Sequence, residues 1–233
     1  MNETGCLVPE FLLFFVKKVK EWLCFVNYWY ILKLLLAIGE ITMNIYHGTI
    51  LEFANNIIEN GIIVDYKEAN RGTDFGVGFY TTNCYKLAEI TAKTKSHFHK
   101  DDDINNTPVV LIMKYDTSNT NNYNSKIFNK CDDEWKKFIC ANRYDKVCER
   151  DLSLLSNREL NYDVVRGAVA DSSMFNIKKM IKENNYMLNN KILDEMKPLK
   201  IDNFIPMQIS FHNQAIVGCI KITAYDIIKS ERR

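Results

Sequence analysis

Pro108 precedes Val109-Val110-Leu111-Ile112-Met113, an uninterrupted apolar run rich in β-branched residues. Such side chains are stiff at χ1 and pack well on a pleated surface, so the run reads as a buried strand and commits the chain to a β-sheet. Other strands are expected at Ile45-Tyr46, Ile62 to Val64, Phe79 to Thr82, Tyr162 to Ala170, Gln208 to Phe211 and Cys219 to Tyr225. The last of these alternates Ile220, Ile222 and Ala224 against polar neighbours. Leu51 to Asn60 has helical spacing, with Leu51, Ala54, Ile57 and Ile58 on one face and Gly61 where a C-terminal glycine belongs. Tyr85 to Thr94, Trp135 to Arg143, Phe175 to Lys182 and Lys191 to Met196 also read as helices. Tyr66 to Thr73 and the asparagine-rich Asn119 to Asn129 read as loops. Strands and helices mix without a regular βαβ alternation, so the expected class is α+β.

Residues 1–42 differ in character from the rest of the chain. Phe11 to Val16 is wholly apolar, Lys17, Lys18, Lys20 and Glu21 interrupt it, Trp22 to Leu32 carries no charge, and Leu34 to Ile38 resumes after Lys33. A membrane span takes roughly 20 predominantly apolar residues. A secretory signal has a basic start, whereas Glu3 and Glu10 precede this apolar run. Three readings stay open. The segment is a membrane helix or interfacial anchor over residues 11–38, with Trp22, Tyr28, Trp29 and Tyr30 at the headgroup boundary. Alternatively it is a helix packed on the domain or on a partner. Or it lies outside the native product, because Met43 directly precedes Asn44-Ile45-Tyr46-His47. The expected organisation is an apolar extension over 1–42 and one domain over 43–233.

Composition narrows the function classes. A net charge of +1 creates no field that favours nucleic acid. The 7 cysteines are odd in number, irregularly spaced and without a CxxC pair, which fits a reducing compartment and gives zinc little support. The expected location is cytoplasmic, or membrane-associated if the extension is native.

Three segments concentrate the chemistry: Tyr46-His47-Gly48-Thr49, Asp74 to Thr82, and Gln208-Ile209-Ser210-Phe211-His212. Taken singly, each has an ordinary reading. His47 is a buried, hydrogen-bonded histidine. Gly76 and Gly78 form a loop, since a dinucleotide fingerprint needs glycine where Thr81 stands. Tyr80 is core, and Gln208 an outward polar residue on a strand. His97, His99 and Asp101 to Asp103 look metal-like, but a polar loop without inward support rarely closes a ligand shell, so no metal is expected.

In this order, the three segments resemble the ADP-ribosyltransferase superfamily of the diphtheria-toxin and poly(ADP-ribose) polymerase type. The second is close to that group's Gly-x-Gly-x-Tyr signature. More narrowly, the chain resembles DUF3990, a microbial family of ADP-ribosyltransferase-like proteins. The resemblance spans residues 44–220 and adds Ala88 with Ala92, Trp135 with Asn142-Arg143, and Tyr162 to Asp171 to the three segments.

The resemblance implies a split β-sheet core with flanking helices and NAD as substrate. His47 orients a ribose hydroxyl, Gly48 offers backbone groups to the nicotinamide amide, and Tyr80 stacks on the nicotinamide ring. Thr49 and Gly78 belong to the cofactor-binding segments, and the Arg143 guanidinium suits the pyrophosphate. Gln208 stands where the superfamily often has glutamate; it offers a carbonyl dipole in place of a full charge. The implied activity is therefore mono-ADP-ribosylation rather than chain elongation, with slow NAD hydrolysis or lost activity as the other outcomes. Thr91 replaces the tryptophan common in the family, so either ring clamping is weaker or another aromatic, Tyr85 or Phe98, substitutes. His212 shares Gln208's face by period two if both lie on one strand. Asp74, Arg143 and Asp171 each read by default as part of a structural salt bridge or turn, a substrate or phosphate contact being the alternative. The acceptor is a protein, a nucleic acid or a small molecule, and the microbial setting implies a toxin-like or phage-defence role with an antitoxin-like partner. The alternatives are a non-catalytic NAD- or ADP-ribose-binding module, tethered to a membrane if the extension is native, and a structural interaction protein that keeps the fold alone.

Overall fold

The computed structural model describes residues 42–64, 73–118 and 122–229. The readings of residues 1–41 and of most of the Tyr66 to Thr73 loop lie outside the described residues. Seven strands form one sheet: β1 (Thr42–Ile50), β2 (Phe79–Thr82), β3 (Pro108–Asp116), β4 (Ser125–Ile127), β5 (Val164–Ala168), β6 (Met207–Phe211) and β7 (Ile220–Ile227). Their order is β4-β5-β6-β2-β1-β3-β7. Every pairing is antiparallel except β4 with β5. The mixed α/β class and the absence of regular βαβ units agree with the sequence reading.

The apolar run that begins at Val109 forms the centre of β3. Val109, Leu111, Met113 and Tyr115 enter one core, with Ile45, Phe79, Ile209 and Phe211. Val110 enters another, with Ala88 and Ala92. Period two thus puts a packed layer on each side of the strand.

The described helices are α1 (Leu51–Asn60), α2 (Tyr85–Phe98), α3 (Asp133–Arg143), α4 (Asp145–Arg150), α5 (Asn157–Leu160), α6 (Met174–Glu183) and α7 (Asn190–Glu195). Helix α1 follows β1 directly and ends at Gly61 with φ +81°, a conformation that favours glycine. Helix α2 lies so close to β1 that a Cβ on Gly48 would stand 2.0 Å from the Ala88 carbonyl oxygen. Asp132 caps α3 by accepting from the Trp135 N–H, and the Trp135 indole donates to the Ala168 carbonyl at 3.1 Å. That bond ties α3 to the end of β5 within a third core containing Phe75, Phe138, Val165 and Ile177.

Several local expectations are corrected. Ile62 to Val64 is not a strand: the Gln214 side-chain amide takes the place of a neighbour, donating to the Ile62 carbonyl and accepting from the Val64 N–H. Within the expected loop at Asn119 to Asn129, Ser125–Ile127 forms an edge strand, because pairing with β5 outweighs its polar composition. Helix α2 runs four residues past Thr94, to Phe98. The expected strand from Tyr162 to Ala170 narrows to Val164–Ala168. Helices α4 and α5, of 6 and 4 residues, are too short to leave a periodic signal. Among the described residues, no helix is long and apolar enough to cross a membrane.

Candidate functional site between two diverging strands

Strand β1 pairs with β3 along its whole length, from Thr42↔Asp116 to Ile50↔Pro108. Against β2 it pairs only at Tyr46↔Thr82. Beyond that point the two strands part, and a side chain bridges them: His47 Nδ1 lies 2.6 Å from the Tyr80 carbonyl oxygen. A cleft of about 390 Å³ opens at this gap, lined by His47, Gly48, Gly78, Tyr80 and Gln208 together with Tyr46. Helix α2 closes one side with Leu87, Ala88, Thr91 and Lys95. A second lobe of about 280 Å³ carries Thr49, Phe53, Ile57 and Ile63. His47, Gly78, Phe79 and Lys95 line both lobes.

The His47 imidazole stacks on Phe79, with ring centroids 4.6 Å apart. Burial, aided by the nearby Lys95 cation, pushes its pKa down to about 3. The ring is therefore neutral at physiological pH, with a single N–H. A carbonyl oxygen can only accept, so that proton sits on Nδ1 and Nε2 keeps its lone pair. His47 is thus an acceptor, suited to a hydroxyl group and not to an anion.

Tyr80 has no free polar tip. Its hydroxyl donates to the Gly76 carbonyl at 2.6 Å and accepts from the Phe75 N–H at 2.9 Å. Burial also pushes the phenol upward. Thr73 donates to the same Gly76 carbonyl, and Gly76 has φ +91°, so the 73–78 loop is fixed by its own turn and by Tyr80. With its hydroxyl engaged, Tyr80 brings its ring to the cleft, where an aromatic partner gains about 0.5–1.5 kcal/mol beyond burial.

Gln208 is oriented by a residue 134 positions away. Its Nε2 donates to Asp74 Oδ2 at 2.8 Å, and among the described residues no donor reaches its Oε1. Asp74 is 3% exposed. Its Oδ1 takes two contacts from Arg143, at 2.6 Å from Nε and 2.5 Å from Nη2, while its Oδ2 also accepts the Ala170 N–H at 2.9 Å. Asp74 therefore joins α3, the segment after β5, and β6. The amide is pinned from behind, and its carbonyl is the end left free at the cleft.

Of the residues singled out in the sequence, His47, Gly48, Gly78, Tyr80 and Gln208 meet in the first lobe, and Thr49 lines the second. The Thr49 hydroxyl is buried without a hydrogen-bond partner. Arg143 lines neither lobe, because its guanidinium closes on Asp74. His212 stands one residue past β6, outside the cleft. Its Nδ1 lies 2.6 Å from the Val77 carbonyl and its Nε2 2.8 Å from Ser210 Oγ, beside a separate polar cavity. Neither expected substitute wall is present: Tyr85 bonds Asp226 through its hydroxyl, and Phe98 is 76% exposed. Tyr46, held edge-on by Tyr85 at 5.4 Å, is a further ring on the cleft, beside Phe79. Asp171 caps a turn by accepting from the Ser173 N–H. Within the metal-like segment, His99 Nδ1 lies 2.6 Å from Asp102.

The family described as "Protein of unknown function (DUF3990)" matches residues 43–222. The chain belongs to the DUF3990 family. No curated protein matches it. The DUF3990 match contains every residue that lines the two lobes of the cleft. Lys95 is the cleft residue that the sequence does not disclose. It follows Ala88 and Thr91 at helical spacing on one face of α2, but the periodic pattern predicts a helix end at Thr94.

Proposed function

We propose that this DUF3990 chain binds NAD where β1 and β2 part, and that it is a mono-ADP-ribosyltransferase-like enzyme with that superfamily's split-sheet core. The convergence of His47, Gly48, Tyr80 and Gln208 on one cleft carries the reading, because these four come from three separate strand regions of the sequence. The nicotinamide ring lies against Tyr80, with Gly48 leaving room for close backbone approach. His47 Nε2 accepts from one ribose hydroxyl. Gln208 Oε1 accepts from another and turns its carbonyl dipole toward the anomeric carbon.

In the reaction, the bond between the nicotinamide nitrogen and the ribose anomeric carbon breaks, and its electron pair leaves with nicotinamide. The sugar becomes oxocarbenium-like, as in other glycosidic cleavages. A lone pair of the acceptor attacks that carbon, and the acceptor's proton passes to water. The cleft contributes clamping, orientation and a preorganised dipole. A microbial toxin-like or phage-defence role rests on the family resemblance alone.

A second reading, a non-catalytic NAD- or ADP-ribose-binding module, is favoured by one observation: among the described residues, no carboxylate lines the first lobe. Incubation with NAD labelled in its adenylate half, beside cell extract, separates the two. The enzyme reading expects label transfer and nicotinamide release, both reduced at least about tenfold in His47→Ala, the loss expected for one hydrogen bond plus orientation. Saturable NAD binding without either product supports the module instead.

A further inference from the structure

We propose that Lys95 is the anion-binding residue of this cleft and holds the pyrophosphate of a dinucleotide at the junction of the two lobes. The inference rests on the NAD reading and adds the residue that carries the charge recognition.

Lys95 lines both lobes, so its side chain stands where a ligand occupying both must pass. It is the only lysine or arginine among the described residues lining either lobe, and His47, beside it, is neutral. It also makes no ion pair with any described residue, although its neighbours on α2, Lys86 and Lys93, both pair with Glu89. Arg143, the other basic residue with a claim on the pyrophosphate, is engaged by Asp74. Burial pushes the Lys95 ammonium down to about 8, so it remains mostly charged near neutrality while poorly solvated. A desolvated, unpaired ammonium destabilises the empty site and is relieved by an anion. The surroundings select which anion. The acceptor His47 Nε2 belongs to the same cleft and suits a ribose hydroxyl. A phosphate bridge between two sugars matches that set of groups.

The test uses the whole chain and four probes: NAD, ADP, adenosine and inorganic pyrophosphate. Binding of each is measured by calorimetry in the wild type, Lys95→Met and Lys95→Arg. The expected result is a loss of about ten- to a hundredfold for NAD, ADP and pyrophosphate in Lys95→Met, the size of one charge-assisted contact. Adenosine affinity is expected to stay within about twofold, and Lys95→Arg to recover most of the loss. Unliganded Lys95→Met should melt about 2–4 °C above the wild type, because an unpaired, half-buried charge has been removed; a variant that merely folds badly would melt lower. Equal losses for ADP and adenosine overturn the assignment. Unchanged NAD binding in Lys95→Met overturns it too, while the NAD reading stands. Pyrophosphate binding that depends on Lys95, in a chain that does not bind NAD, supports the anion site and sinks the NAD reading. No binding of any probe to the wild type overturns both.

Discussion

Asp74→Ala should be the most damaging single change among the polar residues around the cleft, lowering stability by about 3–5 kcal/mol in urea or thermal unfolding. The size reflects the number of groups the carboxylate holds. Its removal leaves the Arg143 guanidinium without its counter-charge, the Ala170 N–H without an acceptor and the Gln208 amide without its anchor. Each of the last two costs a further desolvation penalty where water does not reach. Asp74→Asn keeps the shape and one acceptor oxygen, so it should fall between the wild type and Asp74→Ala. A loss below about 1 kcal/mol for Asp74→Ala, the value of an exposed pair, would show that the hub is solvated.

That hub also marks the limit of what the sequence discloses. Elements with strong periodicity are legible in it: the Val109 to Met113 strand, the helix ending at Gly61, and the helix carrying Trp135, Phe138 and Ile139. Three segments that meet at the cleft are legible too, through the order in which they resemble a known superfamily's segments. The partnership of Asp74 with Gln208 is not legible. It joins residues 134 apart, from the loop before β2 to β6, and no local pattern encodes it. Arg143 looks suited to phosphate by residue type, but its partner is fixed by tertiary approach. Lys95 is hidden for the opposite reason. A lysine on a helix usually faces water, and only the approach of α2 to β1 over Gly48 turns this one inward. The parting of β1 from β2 is likewise a matter of register, visible only once Tyr46↔Thr82 is known to be their single pairing.

Gln208→Glu carries the second large effect, and its direction runs against a simple analogy. A glutamate restores the residue common in the superfamily, and in isolation a carboxylate stabilises an oxocarbenium-like centre better than an amide does. In this chain, however, the amide nitrogen that donates to Asp74 becomes an oxygen, and two acceptors face each other at the former 2.8 Å contact. The expected result is a loss of about 1–3 kcal/mol in stability at neutral pH, with the new carboxyl pushed upward by its like-charged neighbour. In its protonated form the new side chain donates to Asp74 and again presents a neutral carbonyl to the cleft, so nicotinamide release should not rise tenfold. Because the cause is a pairwise clash, adding Asp74→Asn should recover part of the stability, a coupling of about 0.5–3 kcal/mol in a double-mutant cycle. Strictly additive losses would mean that the two side chains do not meet. A large gain in turnover from Gln208→Glu alone would mean that Asp74 does not control the group at this position.

Whether the gap between β1 and β2 is an NAD site is tested most directly by calorimetric titration of the whole chain with NAD. Saturable one-to-one binding is expected, weakened at least about tenfold in Tyr80→Ala and much less in Tyr80→Phe, since the ring meets the ligand while the hydroxyl acts only through the 73–78 loop. An absence of heat at millimolar NAD, or an affinity indifferent to Tyr80→Ala, would contradict it.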